Sequence, residues 1–555
     1  MSRVSHKKPN TKPTAATAAG RTVVVPNEGR WWGLAAGGAS GVLAWLAYPS
    51  AGLWPLALVA YVPLLVAIEL RRPSARQAAL WGWLTGTLLH LGVFGFLAYT
   101  MQHMSRMPPP LAWAVLLIHA LVMGLHQAIF AALVQRTSTS GTDGAWRAVR
   151  RAAEVALLFS AVEFAVPYLF PWYLASAFYA NPLWMQPADL LGVAGVSLLA
   201  MAVNALVAQA VVRPRLRVRL GAATAAVLVV WAGYGLWRMA QVDAAPVQRT
   251  LKTLIVQGNA TVAEKLAEGA ARLPMLDRVE RLTRQADRAG VDLVVWPEGT
   301  MPFFWPPEDP DRPVKPSRAP PILRDVKRRQ LKLVQELQIP MLFGTLRRTD
   351  PMWREPPRNA ALLAWPDGRL WTYDKRILLA FGEYLPGTQL FPSLAEAIPG
   401  VSHMTPGATS GLVEVAGVRL LVNICYEALF GEFLRIEGKT ADVLVNLTND
   451  VWFGPPPAGE LHLMVQQARP IELRRPLLRS TTTGVSACFD ANGRMLQRTP
   501  TFQEATLRCD AQVKDLTSPY RLWGDLPMWG LTLMAAALAV RGRRRTRIDT
   551  RTDLA

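Results

Sequence analysis

One short stretch of the sequence combines a nucleophile with a strand that could present it. Residues Val418–Glu427 form an apolar run that ends in a cysteine, a tyrosine and a carboxylate. Bulky β-forming residues up to Ile424 predict a buried strand that carries Cys425 to its C-terminal end. A lone cysteine in an apolar strand is usually an inert, buried side chain. Open α/β sheets, however, place reactive groups at strand ends, so Cys425 is a candidate nucleophile.

Two further strand ends could supply the partners that such a cysteine needs. Val291–Glu298 is an apolar strand interrupted just before Glu298, and Trp371–Lys375 is a second strand that ends in a lysine. Glu298 is a candidate general base, because desolvation beside the aromatic residues that follow it would raise its pKa. A thiol, a carboxylate and a lysine on three strand ends could form one nucleophilic site.

The motifs around these residues are Trp-Pro-Glu-Gly, Tyr-Asp-Lys-Arg with Phe-Gly-Glu-Tyr, and Asn-Ile-Cys-Tyr-Glu, in that order. They resemble the Glu-Lys-Cys triad of the nitrilase, or carbon–nitrogen hydrolase, superfamily. In a chain with many apolar segments they resemble its membrane-bound bacterial branch, the apolipoprotein N-acyltransferases. This resemblance implies that Glu298, Lys375 and Cys425 are catalytic, with Lys375 donating to the oxyanion. It also implies supporting or substrate-binding roles for three neighbours: Glu383, Tyr426 and Glu427.

The sequence departs from the family pattern near these motifs. Ala380 stands where the family usually has proline, and Ile377 stands where it usually has histidine. The tryptophan that often follows Gln-Gly-Asn is missing from residues 260–269. These departures leave the three catalytic candidates in place and concern the handling of substrate.

The composition indicates a membrane protein. Hydrophobic residues make up 51% of the chain, which also has 20 tryptophans and a formal net charge of +20. Many of the basic residues lie in short connections between apolar runs, which is typical of loops that face anionic lipid. This distribution argues against nucleic acid as a partner.

Apolar segments of about 20 residues can span the hydrocarbon layer of a bilayer. Eight segments are predicted to do so: Trp31–Tyr48, Leu53–Leu70, Ala78–Thr100, Leu111–Val134, Ala152–Phe170, Asp189–Val212, Leu220–Met239 and Leu522–Val540. Arginine clusters follow the second, fourth, sixth and eighth of these segments. By the positive-inside rule both termini are therefore cytoplasmic, and the large polar insert lies outside.

The predicted organisation follows from this topology. Residues 1–30 form a disordered basic tail, 31–241 a seven-helix membrane domain, 250–518 the catalytic domain, 522–540 an eighth span and 541–555 a second basic tail. The insert alternates apolar strands with charged helices, which indicates an α/β domain and resembles the nitrilase αββα sandwich. The predicted strands are Thr253–Val256, Leu293–Trp296, Met341–Phe343, Ala360–Ala364, Leu420–Ile424 and Val443–Leu447.

Two finer predictions concern this insert. The proline-rich segment Pro302–Pro320 is predicted to be a mobile loop near the bilayer. Cys488 and Cys509 lie on adjacent predicted strands and are expected to be buried thiols rather than a disulfide, although an outer compartment would permit a bridge.

The resemblance implies an acyl transfer at the bacterial inner membrane, with the catalytic domain on the periplasmic side. The acyl donor would be a membrane phospholipid, and the acceptor the α-amine of a diacylated apolipoprotein. No metal or other cofactor is expected, and the chain is expected to be monomeric. Two alternatives remain open: a membrane-tethered amidase that uses the same triad, and a non-catalytic lipid-binding scaffold.

Overall fold

The structure is a computed structural model that describes residues 30–49, 52–104, 106–138, 144–305, 321–349, 355–388, 390–391, 393, 403–454 and 457–552. Of the predicted segments, the N-terminal tail up to residue 29 and residues 306–320 of the proline-rich loop lie outside this part. The described chain forms a bundle of apolar helices, then an α/β domain, then a last long helix.

The helices of the N-terminal bundle are mostly long and apolar. Their bounds are α1 Arg30–Leu46, α2 Val62–Arg71, α3 Ala75–Val93, α4 Phe96–Met104, α5 Pro109–Met123, α6 Leu125–Thr137, α7 Ala145–Ala165, α8 Pro182–Met185, α9 Ala188–Leu191, α10 Val193–Val212 and α11 Arg217–Ala244. Short 3₁₀ turns cover Trp54–Leu58, Leu174–Phe178 and Pro214–Leu216.

Small residues let two of these helices approach closely. Gly37 and Gly41 lie one turn apart on α1, and a Cβ atom on them would lie 2.5 and 2.6 Å from backbone oxygens of Trp81 and Thr85 on α3. Thr85 donates its hydroxyl to the Gly37 carbonyl at 2.8 Å. Such small-residue contacts are how helices associate where the hydrophobic effect cannot drive them together.

Four helical stretches of the described chain are long and apolar enough to cross a membrane: Trp54–Arg71, Pro109–Thr137, Val193–Val212 and Pro214–Ala244. The pair Ala75–Val93 and Phe96–His103, bent by 52°, would make a fifth span if it is counted as one. The other predicted spans overlap helices that are shorter in their apolar part or carry more charge: Arg30–Leu46, Ala145–Ala165 and the final helix from Leu526.

The α/β domain contains two sheets. Its strands are β1 Val247–Gln257, β2 Leu293–Val295, β3 Phe304–Trp305, β4 Met341–Arg347, β5 Arg358–Ala364, β6 Leu370–Asp374, β7 Leu412–Val415, β8 Val418–Ile424, β9 Val443–Thr448, β10 Leu477–Thr481, β11 Ala487–Phe489, β12 Met495–Arg498 and β13 Ala505–Lys514. The first sheet has the order β13-β1-β2-β4-β5-β6, with β3 beside β4, and the second has the order β12-β11-β10-β9-β8-β7. The six strands predicted from the sequence overlap β1, β2, β4, β5, β8 and β9.

Helices cover the outer faces of both sheets. The helices of this domain are α12 Val262–Leu266, α13 Leu273–Gln285, α14 Pro321–Leu337, α15 Gly431–Glu437, α16 Ala458–Gln466, α17 Ala468–Leu473 and α18 Pro519–Trp523, and the last described helix is α19 Leu526–Thr552. One apolar core fills the space between the two sheets, and two others lie between each sheet and its helices. This is the α-β-β-α layering that was expected of the domain.

The expectation that Cys488 and Cys509 are separate thiols is wrong in this structure. The two residues form a disulfide between β11 and β13, so the bridge joins the two sheets. The sequence placed them on adjacent predicted strands, but these strands belong to different sheets that face each other across the core. Among the described residues Cys425 is the one free cysteine.

Candidate active site

Cys425 lies immediately after β8, where the chain turns sharply. Its backbone has φ of 50°, in the left-handed region, and it opens a 3₁₀ turn that covers Cys425–Leu429. A residue other than glycine in this conformation costs about 1–3 kcal/mol and persists only where its surroundings impose it. The turn brings the thiol out of the line of the strand at the end of the sheet, as the sequence predicted.

Glu427 is the group that holds this turn. One carboxylate oxygen accepts the backbone N–H of Ile424 at 2.7 Å. The other accepts the hydroxyl of Tyr373 at 2.8 Å and the backbone N–H groups of Arg376 and Ile377 at 2.7 and 3.1 Å. This fully buried side chain therefore fixes the Cys425 turn of one sheet to the end of β6 in the other.

Glu298 lies on a tight turn after β2. The turn pairs with Gly344 of β4, whose N–H donates to the Pro297 carbonyl at 3.1 Å and whose carbonyl accepts the N–H of Met301 at 3.0 Å. A Cβ atom on Gly344 would lie 2.4 Å from the Cα of Glu298, so only glycine at position 344 allows these two segments to approach this closely. The turn thus delivers the Glu298 carboxylate to the same edge as Cys425.

Lys375 follows β6 and is almost fully buried. Its ammonium lies 2.8 Å from Oε2 of Glu383, which also accepts the backbone N–H of Leu379 at 2.8 Å. The side-chain amide of Asn359, at the start of β5, donates to Glu383 Oε1 at 2.7 Å and to Glu298 Oε1 at 2.6 Å. Asn359 therefore joins the two carboxylates. Asn359 was not predicted from the sequence, where the one indication of its role is that it is a polar residue at the start of an otherwise apolar strand.

The charges of these groups act on one another. Burial, together with the charge of Glu298, raises the pKa of the Cys425 thiol to about 12, although the charge of Lys375 acts to lower it. Burial also raises the pKa of Glu298, an effect that Lys375 opposes and Glu383 reinforces. Oε2 of Glu298 has no hydrogen-bond partner in the described part of the chain, so it is available to take a proton.

The site lies against the helical bundle. The hydroxyl of Tyr426 donates to the Leu169 carbonyl, and its ring lies 6.0 Å from that of Phe170 in an edge-to-face contact. Apolar side chains that flank the catalytic candidates, among them Ile377 and Leu379, pack on the apolar core of the bundle. The surroundings of the thiol therefore run directly into the apolar core of the helical bundle.

A second buried polar group supports the loop beside the cysteine strand. Asp450, just after β9, accepts from Arg479 at 2.9 Å and lies 2.7 Å from Nδ1 of His462. The same loop carries Phe453, whose ring makes edge-to-face contacts with His462 at 5.4 Å and with Phe96 of α4 at 5.5 Å. The loop after β9 is therefore held against α4, the second helix of the bent pair.

A strained cysteine at a strand end, with a buried carboxylate and lysine beside it in an α-β-β-α sandwich, defines a nucleophilic site of the carbon–nitrogen hydrolase type. The sequence profile of that family, "Carbon-nitrogen hydrolase", matches residues 255–519. The profile "Apolipoprotein N-acyltransferase N-terminal domain" matches residues 40–206.

Relatives that match most of the chain narrow the class of protein to one family. An apolipoprotein N-acyltransferase of Geobacter metallireducens is 30% identical over 526 residues, which cover 92% of this chain and 95% of the relative. One from Bdellovibrio bacteriovorus is 31% identical over 494 residues, covering 84% and 85%. A solved amidase from Nesterenkonia sp. is 16% identical, with a TM-score of 0.37, and the match covers 52% of this chain and 97% of that one. The chain belongs to the apolipoprotein N-acyltransferase family, and it is an acyltransferase with a nitrilase-like domain joined to apolar helices. The family resemblance stated from the motifs is thereby confirmed.

Proposed function

We propose that this protein transfers a fatty acyl chain from a membrane phospholipid to the α-amine of a diacylglyceryl-cysteine on an apolipoprotein, through a thioester on Cys425. Glu298 acts as the general base and Lys375 as the oxyanion donor. The observation that supports this most is the convergence of these three side chains from three strand ends onto one buried edge, with apolar surroundings that lead into the bundle.

In the first half-reaction the thiol proton passes to Glu298 as sulfur attacks the ester carbonyl carbon of the phospholipid. Lys375 donates to the oxyanion of the tetrahedral intermediate; preorganised donors of this kind contribute about 3 kcal/mol. The carbon–oxygen bond then breaks, and the departing alkoxide takes the proton from Glu298 to leave as lysophospholipid. An acyl thioester remains on Cys425.

In the second half-reaction the free amine of the lipoprotein attacks the thioester carbonyl. Glu298 takes a proton from the attacking nitrogen and returns it to sulfur as the carbon–sulfur bond breaks. The products are an amide and the free thiol, so the enzyme returns to its starting state. Apolar walls that limit water favour attack by the amine over hydrolysis.

The proposed setting is the bacterial inner membrane. Eight spans with both termini in the cytoplasm would place the 250–518 domain on the periplasmic side, as the arginine clusters indicate. The bridge between Cys488 and Cys509 supports this placement, because disulfides persist in oxidising compartments. We further propose supporting roles for Glu383 and Glu427, a contact with substrate for Tyr426, and a monomeric state.

The test is intact mass spectrometry of the purified protein mixed with phospholipid, before and after addition of a diacylated lipopeptide. A fatty-acyl mass on wild type, absent from Cys425→Ala and transferred to the lipopeptide, is the expected result. An adduct that only hydrolyses would replace the proposal with the amidase. No adduct with any phospholipid would favour the non-catalytic scaffold.

A further inference from the structure

A second lysine reaches the turn that carries Glu298. Lys265 lies on the short helix α12, and its ammonium donates to the carbonyl of Gly299 at 2.6 Å. Gly299 is the residue after Glu298 and has φ of 58°, a conformation that glycine adopts without strain. The ammonium therefore binds the turn at the residue with positive φ, directly after the candidate base Glu298.

The helix that carries Lys265 is itself well anchored. Thr261 and Glu264 form a capping box at its N-terminus. Arg278 of α13 pairs with Glu264 at 2.6 Å and donates to the carbonyls of Gly258 and Asn259 at 3.1 Å. The backbone around Lys265 is therefore held in place, and its side chain reaches the Glu298 turn from a fixed position.

We propose that Lys265 is a positioning residue for Glu298: it fixes the Gly299 carbonyl, and with it the turn, and supplies a second positive charge beside the carboxylate in addition to Lys375. This inference rests on the proposed role of Glu298 as the base.

The charged groups around Glu298 and around Lys265 determine how Lys265 affects the ionisation of Glu298. Glu298 faces Lys375, Glu383 and Lys265, and its amide partner is Asn359. Lys265 faces Glu298, Arg272 and Glu264; burial lowers its pKa to about 8, while the charge of Glu298 acts to raise it. One positive charge near Glu298 thus comes from the Glu383-paired Lys375, and the other comes from Lys265.

The consequence is a shift in the acid limb of the pH–rate profile, the part in which the rate rises as Glu298 loses its proton. The charge of Lys265 lowers the pKa of Glu298, so its removal raises that pKa and leaves less ionised base at neutral pH. We expect Lys265→Met to move the acid limb of Cys425 reactivity upward by about one pH unit. Lys265→Arg retains the charge and should restore the limb.

The experiment follows two reactions of Cys425 between pH 5 and 9 in the full-length protein. One is single-turnover acylation by phospholipid, and the other is alkylation by iodoacetamide, both read by intact mass. Lys265→Gln is a second neutral variant in case Lys265→Met folds poorly. Arg272→Gln is the matched control: Arg272 holds the same segment through the Pro302 carbonyl at 2.9 Å but is not among the charges that act most strongly on Glu298.

The expected result is an upward shift of both limbs in the neutral variants, no shift in Arg272→Gln, and recovery in Lys265→Arg. Unshifted limbs in the neutral variants would overturn the inference, and so would an equal shift in Arg272→Gln. If the wild-type protein is alkylated but never acylated, the proposed function fails, while a shifted alkylation limb would still support the role of Lys265.

Discussion

The ammonium of Lys375 lies 2.8 Å from Oε2 of Glu383, and both side chains are buried. Burial alone would lower the pKa of Lys375, but Glu383, Cys425 and Glu298 outweigh it and raise that pKa above its ordinary value. The lysine is therefore cationic across the physiological pH range. A fixed charge held by a carboxylate is suited to oxyanion stabilisation, because it needs no reorganisation during the reaction.

Replacement of this lysine should change the chemistry of the thiol as well as that of the oxyanion. Lys375 lowers the pKa of Cys425, so Lys375→Met raises that pKa and reduces the thiolate fraction. We expect alkylation of Cys425 by iodoacetamide at pH 8 to slow about tenfold and acylation by phospholipid to fall about 10²-fold or more. Lys332→Met, on an exposed face of α14, is the control and should change neither rate. Unchanged alkylation in Lys375→Met would show that the ammonium does not act on the thiol.

The amide of Asn359 should matter through the two carboxylates that it joins. Asn359→Ala removes the donor that lowers the pKa of Glu298 and leaves Glu298 beside Glu383 in a buried site, which disfavours ionisation of Glu298. The pKa of Glu298 then rises, so acylation at pH 7 should fall about 10–100-fold and recover in part as the pH is raised. Single-turnover acylation between pH 6 and 9 measures this. A loss that is the same at every pH would instead indicate a displaced backbone.

The positions of the three catalytic candidates could be predicted because each depends on one local segment. Cys425, Glu298 and Lys375 each stand at the end of an apolar strand, and the edges of parallel or neighbouring strands meet in space. The layers of the domain could be predicted for the same reason, because alternation of buried strands with amphipathic helices leaves few packings.

The contacts between distant segments could not be predicted in this way. Asn359 and Lys265 act through a carboxylate and a carbonyl that lie far from them in the chain, and nothing in their own segments indicates those partners. The pairing of Cys488 with Cys509 depends on which sheet each strand joins, and local patterns do not record that choice. Glu427 was recognised beside the cysteine, but its bonds to the end of β6 follow only from the packing of two sheets.

The disulfide makes a prediction about both redox state and stability. The chain contains three cysteines. After denaturation without reductant, iodoacetamide should therefore add one label, on Cys425, and after reduction it should add three. The bridge closes a loop with a sequence separation of 21 residues, for which chain entropy predicts about 3 kcal/mol of stabilisation. Cys488→Ala with Cys509→Ala should lower the midpoint of thermal unfolding while Cys425 still reacts. Three labels without reductant would place both residues among free thiols.

A buried carboxylate of the bundle binds the α/β domain at the junction between the two. Asp189, at the end of the bundle, accepts from Arg474 at 2.5 Å, from Arg238 at 2.6 Å and from the hydroxyl of Tyr234 at 2.5 Å. Arg474 belongs to the α/β domain, and both Arg474 and Asp189 are fully buried. A second ion pair, Arg494 with Asp243, crosses the same junction at 2.6 Å but is about half exposed.

These two pairs allow a matched comparison. Removal of one partner from a buried pair costs up to about 3–5 kcal/mol, whereas an exposed pair contributes about 0–1 kcal/mol. Without Arg474, Asp189 keeps Arg238 and the hydroxyl of Tyr234, so we expect the loss to lie below the upper end of that range. We expect Arg474→Met to lower the midpoint of thermal unfolding by many degrees and Arg494→Met to leave it nearly unchanged, although both variants lose one arginine that faces an aspartate across the junction. Because the Cys425 turn packs on the same bundle through Tyr426, Arg474→Met should also slow acylation at temperatures where the protein is still folded. Equal effects of the two substitutions would mean that the junction does not depend on Asp189.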